Sequence, residues 1–569
     1  MKSVNKTFFK RIWQLTRAYW FSREKWSARG LLAVIISLTL AHVYILVLLN
    51  QWNNTFYNTL QNRQEDAFFQ ALGQFGILAT CYILVAVYEL YLRQMLQNKW
   101  RRWITEEYLG KWLNNKTYHF LELTDSKADN PDQRISEDLK LFVTLTIQLG
   151  LGLLKASVTL ISFIFILWQL SGTIEVFGVT IYGYMVWVAI VYAIVGTWLT
   201  AKIGRPLIGL NFAQQRYEAD FRFGLVRIRE NSEGVAFYSG EAQEGQVLKK
   251  RFQHVFDNFK ALMKCQKKLT WFTSGYSQIA IIFPFIVAAP RYFSNQIQLG
   301  GLIQISSAFG RVQDALSFFV DSYSVLAEWR AVVNRLTGFI DHMEEVQNLQ
   351  KESIVAISEE KRSDVQVAKL NVTLPSGEKL LKDLGLTLKT KESLLIMGPS
   401  GCGKSTLLRT LAGIWPFGNG QIAFPEQPKV LFLPQKPYLP LGTLREAFFY
   451  PGKGEGMEEK LQEVMKLCQL EAFSDKLDKV ENWSHLLSLG EQQRIAFARA
   501  LLQQPDWLFL DEATSALDEP SEQALYGLLR RKLVNTALVS VGHRGTLRQF
   551  HQAKLTIQPD GAWQLTEIA

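Results

Sequence analysis

The stretch GPSGCGKST, residues 398–406, continues from the apolar run SLLIMG and precedes the helical pattern TLLRTLAGI. A strand, a glycine-rich loop and a helix in this order predict a P-loop, whose backbone N–H groups surround phosphate oxygens. In such a loop Lys404 would reach the β- and γ-phosphates of a nucleotide, and the Ser405 hydroxyl would ligate Mg²⁺. The predicted phosphate-binding residues are Gly398, Pro399, Ser400, Gly401, Cys402, Gly403, Lys404, Ser405 and Thr406.

A second stretch, WLFLDEATSALD at 507–518, places two carboxylates at the end of a buried-strand pattern. Asp511 is suited to hold Mg²⁺ through water, and Glu512 to orient and deprotonate the attacking water in a hydrolysis reaction. An acidic pair at a strand end can also be a helix cap. A P-loop roughly 100 residues upstream favours the catalytic interpretation.

Gln435 and His543 follow two further strand-like runs, KVLFLP and TALVSV. Gln435 is predicted as a switch residue and ligand near Mg²⁺, and His543 as a residue that reaches the γ-phosphate. A lone histidine is usually structural, so the prediction for His543 depends on the motifs around it. Short apolar runs that alternate with helical patterns predict an α/β domain with a largely parallel sheet.

Another small-residue loop, Ser488-Leu489-Gly490-Glu491, opens the helical pattern in LLSLGEQQRIAFARALL at 486–502. A helix N-terminus of this kind can hold an anion. The chain carries one copy of this loop and one P-loop, which raises the question of whether both can bind the same phosphate.

The first 340 residues contain nearly all the long apolar runs and predict a polytopic α-helical membrane domain. Six segments are long enough to span about 30 Å of hydrocarbon. They are 30–50, 71–92, 147–170, 182–203, 272–293 and 299–322. Loops 51–70, 171–181 and 294–298 hold a single Lys or Arg, whereas loops 98–140 and 202–269 hold about twenty. The basic loops, both termini and the C-terminal domain are therefore predicted to be cytoplasmic.

The long basic loops keep helical periodicity, which predicts membrane helices that continue into the cytoplasm. Turn residues in DNPDQRISEDL (129–139) and RENSEGVAFYSGEAQE (229–244) mark the tips of these helical extensions. The periodicity favours neither a solvated turn nor a docking element at these tips. Residues 1–29 predict an amphipathic segment at the membrane surface and no signal peptide. The predicted transmembrane domain covers 30–336, the linker 337–365 and the nucleotide-binding domain 366–569.

The net charge of +10 does not predict a nucleic-acid partner, because the excess cations lie between apolar runs. The four cysteines, Cys81, Cys265, Cys402 and Cys468, have no metal-ligand spacing and predict free thiols.

The order of the motifs from the P-loop to His543 resembles the nucleotide-binding domain of an ABC transporter, over about 200 residues. The resemblance implies that Ser488, Gly490 and Glu491 form the signature loop and that Ser515 to Asp518 form the D-loop. The usual signature is LSGGQ, and Leu489 and Glu491 depart from it. In this family the signature loop closes over ATP on a second domain, so the resemblance implies a half-transporter that works as a homodimer with ATP and Mg²⁺.

DNPDQRI, AFYSGEAQE and GGLIQISSAFGRVQDALSFFVDSY resemble the branch with peroxisomal fatty-acyl-CoA half-transporters and bacterial YddA-type and SbmA/BacA-type proteins. This resemblance implies an exporter-type fold, docking hairpins and a bacterial inner-membrane location. Its solutes would be hydrophilic or amphipathic, such as cobalamin, a peptide or an acyl-CoA-like molecule. A lipid flippase or drug exporter is the alternative. The usual aromatic that stacks on adenine is absent from NVTLPSGEKLL (371–381), where Leu374 or Pro375 could cover the base.

Ionisable residues inside the predicted spans suggest a path for the solute. Arg311, Asp314 and Asp321 lie within about 80° of one another on an ideal helix, and Lys155 lies inside the third span. Charges in hydrocarbon are costly, so they should face one another or a wet cavity. An Arg311–Asp314 ion pair that only fixes helix packing is the structural alternative.

Overall fold

The computed structural model describes residues 2–124, 130–176, 179–351 and 355–568. The chain forms two compact units. The first comprises Met1–Gly110 and Asp129–Ile340, and the second comprises Lys111–Ala128 and Asp341–Ala569.

Long helices build the first unit, and each predicted membrane segment lies within one continuous helix, except that 182–203 begins two residues before its helix. The elements up to Lys351 are α1 (Lys2–Trp20), α2 (Lys25–Gln61), α3 (Glu65–Leu113), α4 (Thr117–Thr124), α5 (Pro131–Gln133), α6 (Leu139–Ser171), β1 (Thr173–Val176), β2 (Val179–Tyr182), α7 (Tyr184–Glu230), α8 (Ser232–Phe237), α9 (Glu241–Phe293) and α10 (Leu299–Lys351). The predicted N-terminal segment 1–29 is shorter than expected as a separate helix, because α1 ends at Trp20 and α2 begins at Lys25.

Within the described residues, five helices are long and apolar enough to cross a membrane. They correspond to the first five predicted spans. The sixth, 299–322, forms the first half of α10 but is not among these five, and it carries Arg311 and Asp314. The side chain of Asp321 lies outside the described residues. The presence of six spans therefore remains a prediction, and the sixth predicted span is the least apolar of them.

Polar contacts hold the start of α10 against α2. A Cβ on Gly300 would lie 2.0 Å from the Asn54 carbonyl oxygen, so only glycine permits this approach. The Gly300 N–H donates to Asn58 Oδ1 at 2.8 Å, and Asn54 Nδ2 donates to Gln304 Oε1 at 2.7 Å. Amide side chains between membrane helices stabilise one packing arrangement by hydrogen bonding.

The end of the first hairpin motif packs inside the first unit, whereas docking by its tip remains a prediction. Asp138 is almost fully buried, and its carboxylate accepts from Arg134 at 2.6 Å and from two nitrogens of Arg335 at 2.6 and 2.9 Å. This part of DNPDQRISEDL therefore ties the entry of α6 to α10 inside the first unit. Asp129 lies outside the described residues. The preceding segment, 111–128, belongs to the second unit.

The second unit is an α/β domain, as predicted. Its further elements are β3 (Val355–Glu360), β4 (Asp364–Thr373), β5 (Lys379–Lys389), β6 (Ser393–Met397), α11 (Lys404–Leu411), β7 (Gly418–Pro425), β8 (Val430–Leu433), β9 (Gly442–Thr443), α12 (Leu444–Phe449), α13 (Glu458–Leu467), β10 (Val480–Glu481), α14 (Trp483–Leu486), α15 (Leu489–Gln503), β11 (Trp507–Asp511), α16 (Glu519–Lys532), β12 (Ala537–Val541), β13 (Ala553–Ile557) and β14 (Trp563–Glu567).

The main sheet has the strand order β14-β13-β6-β12-β11-β8, and its neighbours are parallel except for the β13–β14 pair. A second sheet has the order β3-β7-β4-β5. Apolar residues alternate between two cores, one of which contains α15 and α16 and the other α11 and the second sheet. The Phe432 and Phe509 rings stack at 4.5 Å on neighbouring strands.

The predicted linker 337–365 is mostly regular structure. Helix α10 continues to Lys351, and β3 pairs in parallel with β7. Residues 352–354 lie outside the described residues. The compact units divide at Ile340 and Asp341, so most of the predicted linker belongs to the second unit. All four cysteines are free thiols.

Candidate nucleotide site

Four neighbouring strand ends carry the residues that the sequence singles out. In the order β6-β12-β11-β8 the strands run parallel, so their carboxyl ends meet at one edge of the sheet. The P-loop follows β6, His543 follows β12, Glu512 follows β11 and Gln435 follows β8. Ligands of open α/β sheets bind at this edge, and the sheet order assembles the predicted site there.

Backbone geometry determines where glycine is needed in the P-loop. Gly398 has φ +156°, and a Cβ there would lie 2.4 Å from the Ile557 carbonyl oxygen. Gly403, with φ +95°, is the left-handed residue that starts α11. The Lys404 ammonium is buried and donates to the carbonyls of Gly398 at 3.1 Å and Pro399 at 2.8 Å. The loop is thus tied to the first turn of a helix whose N-terminal dipole favours anions.

Ser405 and Asp511 form an oxygen-rich pair beside the P-loop. The Ser405 hydroxyl donates to Asp511 Oδ1 at 2.8 Å. Burial raises the pKa of Asp511 above its ordinary value, and the nearby Glu512 adds to the rise, whereas the Ser405 hydrogen bond opposes it. A hydroxyl next to a desolvated carboxylate is the donor set that Mg²⁺ takes together with phosphate oxygens. These two residues fit a magnesium ion.

Both carboxylate oxygens of Glu512 have partners. Oε1 lies 2.9 Å from His543 Nε2, and Oε2 accepts from the Gln435 side-chain amide at 3.2 Å. The structure thus brings Gln435 to Glu512, and its amide nitrogen bonds this carboxylate rather than Asp511 or Ser405. Glu512 has φ +47°, a left-handed conformation that costs about 1–3 kcal/mol for a residue other than glycine. The surrounding sheet must therefore hold Glu512 in place.

The signature loop is organised as a capping box at the start of α15. Glu491 Oε2 accepts from the Ser488 N–H and from the Ser488 hydroxyl, each at 2.8 Å. The Glu491 N–H donates in return to Ser488 Oγ at 3.3 Å. Within the described part of the chain, no hydrogen bond or ion pair joins Ser488, Gly490 or Glu491 to the P-loop. The two predicted phosphate loops of one chain are thus separate elements.

Two protein-family models match separate parts of the chain. A family model described as ABC transporter transmembrane region 2 matches residues 15–293, and an ABC transporter model matches residues 381–515. An uncharacterised ABC transporter ATP-binding protein of Haemophilus influenzae is 37% identical over 98% of this chain and 93% of its own length.

The chain belongs to the ABC transporter family. The inner membrane ABC transporter ATP-binding protein YddA of Escherichia coli is 33% identical, over 93% of this chain and 94% of its own. The solved structure of a bacterial Atm1-family ABC exporter with ATP bound has a TM-score of 0.71 at 18% identity, with 94% of each chain covered. The transporter thus has the fold of an exporter-type half-transporter, and its ATPase couples ATP hydrolysis to transport.

Gln493 is a residue of the transporter's site that the sequence did not single out. Its fully buried side chain donates to the Gln435 carbonyl at 2.9 Å and to Ser515 Oγ at 3.1 Å, and it accepts from the Ala516 N–H at 3.1 Å. This one amide joins the signature helix to the Gln435 loop and to the D-loop. The sequence offered no signal for this role, because only the structure shows that Gln493 is buried.

A second missed feature is the short helix α4 with the turn before it. Lys116 Nζ donates to the carbonyl of Ala412, the C-cap residue of the P-loop helix α11, at 3.0 Å. Burial lowers the pKa of Lys116. Leu123 packs against the core that contains α11. Within the second unit, the segment after α3 therefore contacts the helix that follows the P-loop.

Proposed function

We propose that the transporter works as a homodimer with two composite ATP sites, and that it moves a hydrophilic or amphipathic solute across the bacterial inner membrane. The separation of the signature loop from the P-loop of the same chain is the observation that carries this proposal. With one copy of each loop, a C2 dimer is the simplest arrangement that completes both sites. The inner-membrane name of the YddA relative supports the location, with the ATPase and both termini on the cytoplasmic side.

Each ATP site would divide its chemistry between the two chains. The P-loop residues 398–406 bind the phosphates, Lys404 neutralises them, and Ser405 and Asp511 hold Mg²⁺, which would stabilise charge on the transferred phosphoryl group. Glu512 takes the proton of the attacking water. His543 and Gln435 position this carboxylate through the contacts described above. The partner subunit supplies the signature residues Ser488 and Gly490.

Glu491 would adjust the affinity for ATP at the composite site. Its carboxylate holds the Ser488 hydroxyl proton, which is the proton that a γ-phosphate would accept from Ser488. It also adds a negative charge near that phosphate. Both effects oppose closure of the dimer over ATP.

We expect Glu491→Gln to lower the ATP concentration for half-maximal hydrolysis about fivefold, because about 1 kcal/mol of like-charge repulsion is removed. A glutamine oxygen can still accept from the Ser488 N–H and keep the helix cap. The matched control is Glu446→Gln, which alters the Thr443–Glu446 capping box of α12 away from the phosphate loops. Equal changes in the two variants would show that only helix capping is affected.

The charges of α10 support a polar solute path. Arg311 and Asp314 are both exposed on this helix, and no ion pair joins them in the described part of the chain. The packing alternative is therefore not favoured. Lys155 is half-buried and lies within electrostatic range of Arg311. Charges left open on a membrane helix suit a wet cavity and a hydrophilic solute better than a lipid.

Arg311→Ala is expected to reduce solute-stimulated ATP hydrolysis at least threefold in proteoliposomes. Cobalamin, a cationic peptide and an acyl-CoA serve as probes. Arg222→Ala, an equal change at an exposed position of α7, is the control. The arginine would have a structural role if every probe that stimulates the wild type stimulates Arg311→Ala equally. It would also have a structural role if only this variant fails to assemble.

A further inference from the structure

A hydrogen-bonded chain of three ionisable side chains crosses three membrane helices of the first unit. Glu89 on α3 lies 3.1 Å from His42 Nδ1 on α2, through its Oε2 atom. The Nε2 atom of the same ring lies 3.4 Å from Lys155 Nζ on α6. All three residues fall within helices that are long and apolar enough to span the membrane. ATP hydrolysis does not require this hydrogen-bonded chain, and neither does the formation of the first five spans.

His42 lies at the centre of this chain and is 7% exposed. The Thr39 hydroxyl lies 3.3 Å from Glu89 Oε1, and the Tyr82 ring packs edge-on against the imidazole at 4.8 Å. The carboxylate is therefore held by two side chains of α2, and the ring is enclosed by α3. Buried ionisable groups in membrane helices are costly, so their retention points to a function.

The two ring nitrogens restrict the protonation states that fit this geometry. When the Lys155 ammonium donates to Nε2, the ring is neutral and its single proton, on Nδ1, is donated to Glu89. A ring protonated on both nitrogens cannot accept from Lys155, and two cations would then face each other at 3.4 Å. Proton binding by His42 and the hydrogen bond from Lys155 therefore exclude each other.

Two further cations near Lys155 also favour the release of its ammonium from the His42 ring. Arg93 on α3 and Arg311 on α10 lie within electrostatic range of the Lys155 ammonium, and Asp314 lies within range of Arg311. Glu89 is the carboxylate that bonds the His42 ring directly. Lys155 is half-buried and lies at the end of the chain away from Glu89, so part of its side chain is already exposed.

We propose that His42 is a proton-binding site in the membrane domain, and that a proton on its ring displaces Lys155. The proton is bound at Nε2, the imidazolium is stabilised by Glu89, and the Lys155 ammonium moves toward the exposed side of α6. The three partners belong to three helices, so a rearrangement of these helices during transport changes the proton affinity of the ring. Turnover would thus be linked to pH, whichever solute is carried.

The first test counts protons on the full-length transporter in phosphatidylcholine nanodiscs. Acid–base titration between pH 5.5 and 8.5 is compared for the wild type and His42→Gln, whose amide can still bridge Glu89 and Lys155 without titrating. The expected difference is one proton per chain. His254→Gln, which removes an exposed cytoplasmic histidine, is the control for counting accuracy. The absence of a His42-dependent proton would overturn the proposal.

Two further variants test the chain itself. Glu89→Gln is expected to move the midpoint of the His42-dependent titration about one unit or more to lower pH, because a favourable charge is lost. Lys155→Met is expected to move it to higher pH, because a competing cation is lost. Midpoints that do not move in these opposite directions would contradict the competition, even if His42 titrates. If His42→Gln fails to assemble, the wild-type titration is compared with those of Glu89→Gln and Lys155→Met, whose midpoints should move in opposite directions.

The link to transport is tested by ATP hydrolysis across the same pH range. The ratio of the wild-type rate to the His42→Gln rate is expected to change at least threefold through the titration midpoint. The corresponding ratio for His254→Gln should stay constant. A constant ratio for His42→Gln would show that the proton is not coupled to turnover. Failure of the proposed ATP-site roles would leave the titration result unaffected, so the two proposals can be separated.

Discussion

Replacing Glu512 by glutamine is expected to slow steady-state ATP hydrolysis by about 10²–10⁴-fold, the usual contribution of a general base. The variant should still bind ATP, because Lys404, Ser405 and Asp511 are unchanged. A glutamine oxygen can also keep one of the two contacts that hold the native carboxylate. ATP should therefore accumulate on a closed dimer that cannot turn over.

Phosphate release and retained radiolabelled ATP measure these two effects on the same sample. Glu519→Gln, an exposed acid in the first turn of α16, is the control and should hydrolyse ATP normally. Near-normal hydrolysis by Glu512→Gln would mean that another group accepts the proton. Loss of both binding and turnover would instead indicate that the strained backbone at Glu512 had collapsed.

Mixed dimers are expected to give the second large effect. They distinguish ATP sites built from two chains from ATP sites built within one chain. A dimer of a Ser488→Arg chain with a Lys404→Ala chain has both defects at the same composite site. Its other site stays intact and should bind ATP. A dimer with both changes in one chain and none in its partner has one defect at each site, and should lose hydrolysis almost completely.

The two dimers are purified with two different affinity tags, so that only mixed pairs are measured. The ranking is the diagnostic quantity, because sites built within single chains would reverse it. Ser358→Arg, at an exposed position on β3, controls for the introduction of an arginine. Equal activity of the two arrangements, or the reversed order, would contradict composite sites.

Local patterns were sufficient to predict the elements that carry the nucleotide chemistry. A P-loop is a continuous segment in which strand, glycine-rich turn and helix follow one another, so its structure is specified by neighbours in the chain. The helix start at Ser488 was predicted for the same reason, although its capping box with Glu491, three residues away, was not. The five most apolar spans were also predicted, since length and hydrophobicity alone define them.

The tertiary structure decided which distant side chains meet. The strand order β6-β12-β11-β8 places His543 and Gln435 on the two oxygens of Glu512, and no local pattern specifies that order. Gln493 was missed because a buried amide in a helix has no periodic signature. The turn at Lys116 was missed because its partner, the Ala412 carbonyl, is nearly 300 residues away.

The membrane charges show the same division. The sequence placed Lys155 inside a predicted span, whereas His42 and Glu89, which also lie within predicted spans, were not singled out. It could not determine that they bond to one another, because they belong to three helices whose rotations depend on packing. Hydrophobicity varies along the chain and can be read from one sequence, whereas the pairing of polar groups depends on contacts between segments. Those contacts exist only in the folded protein.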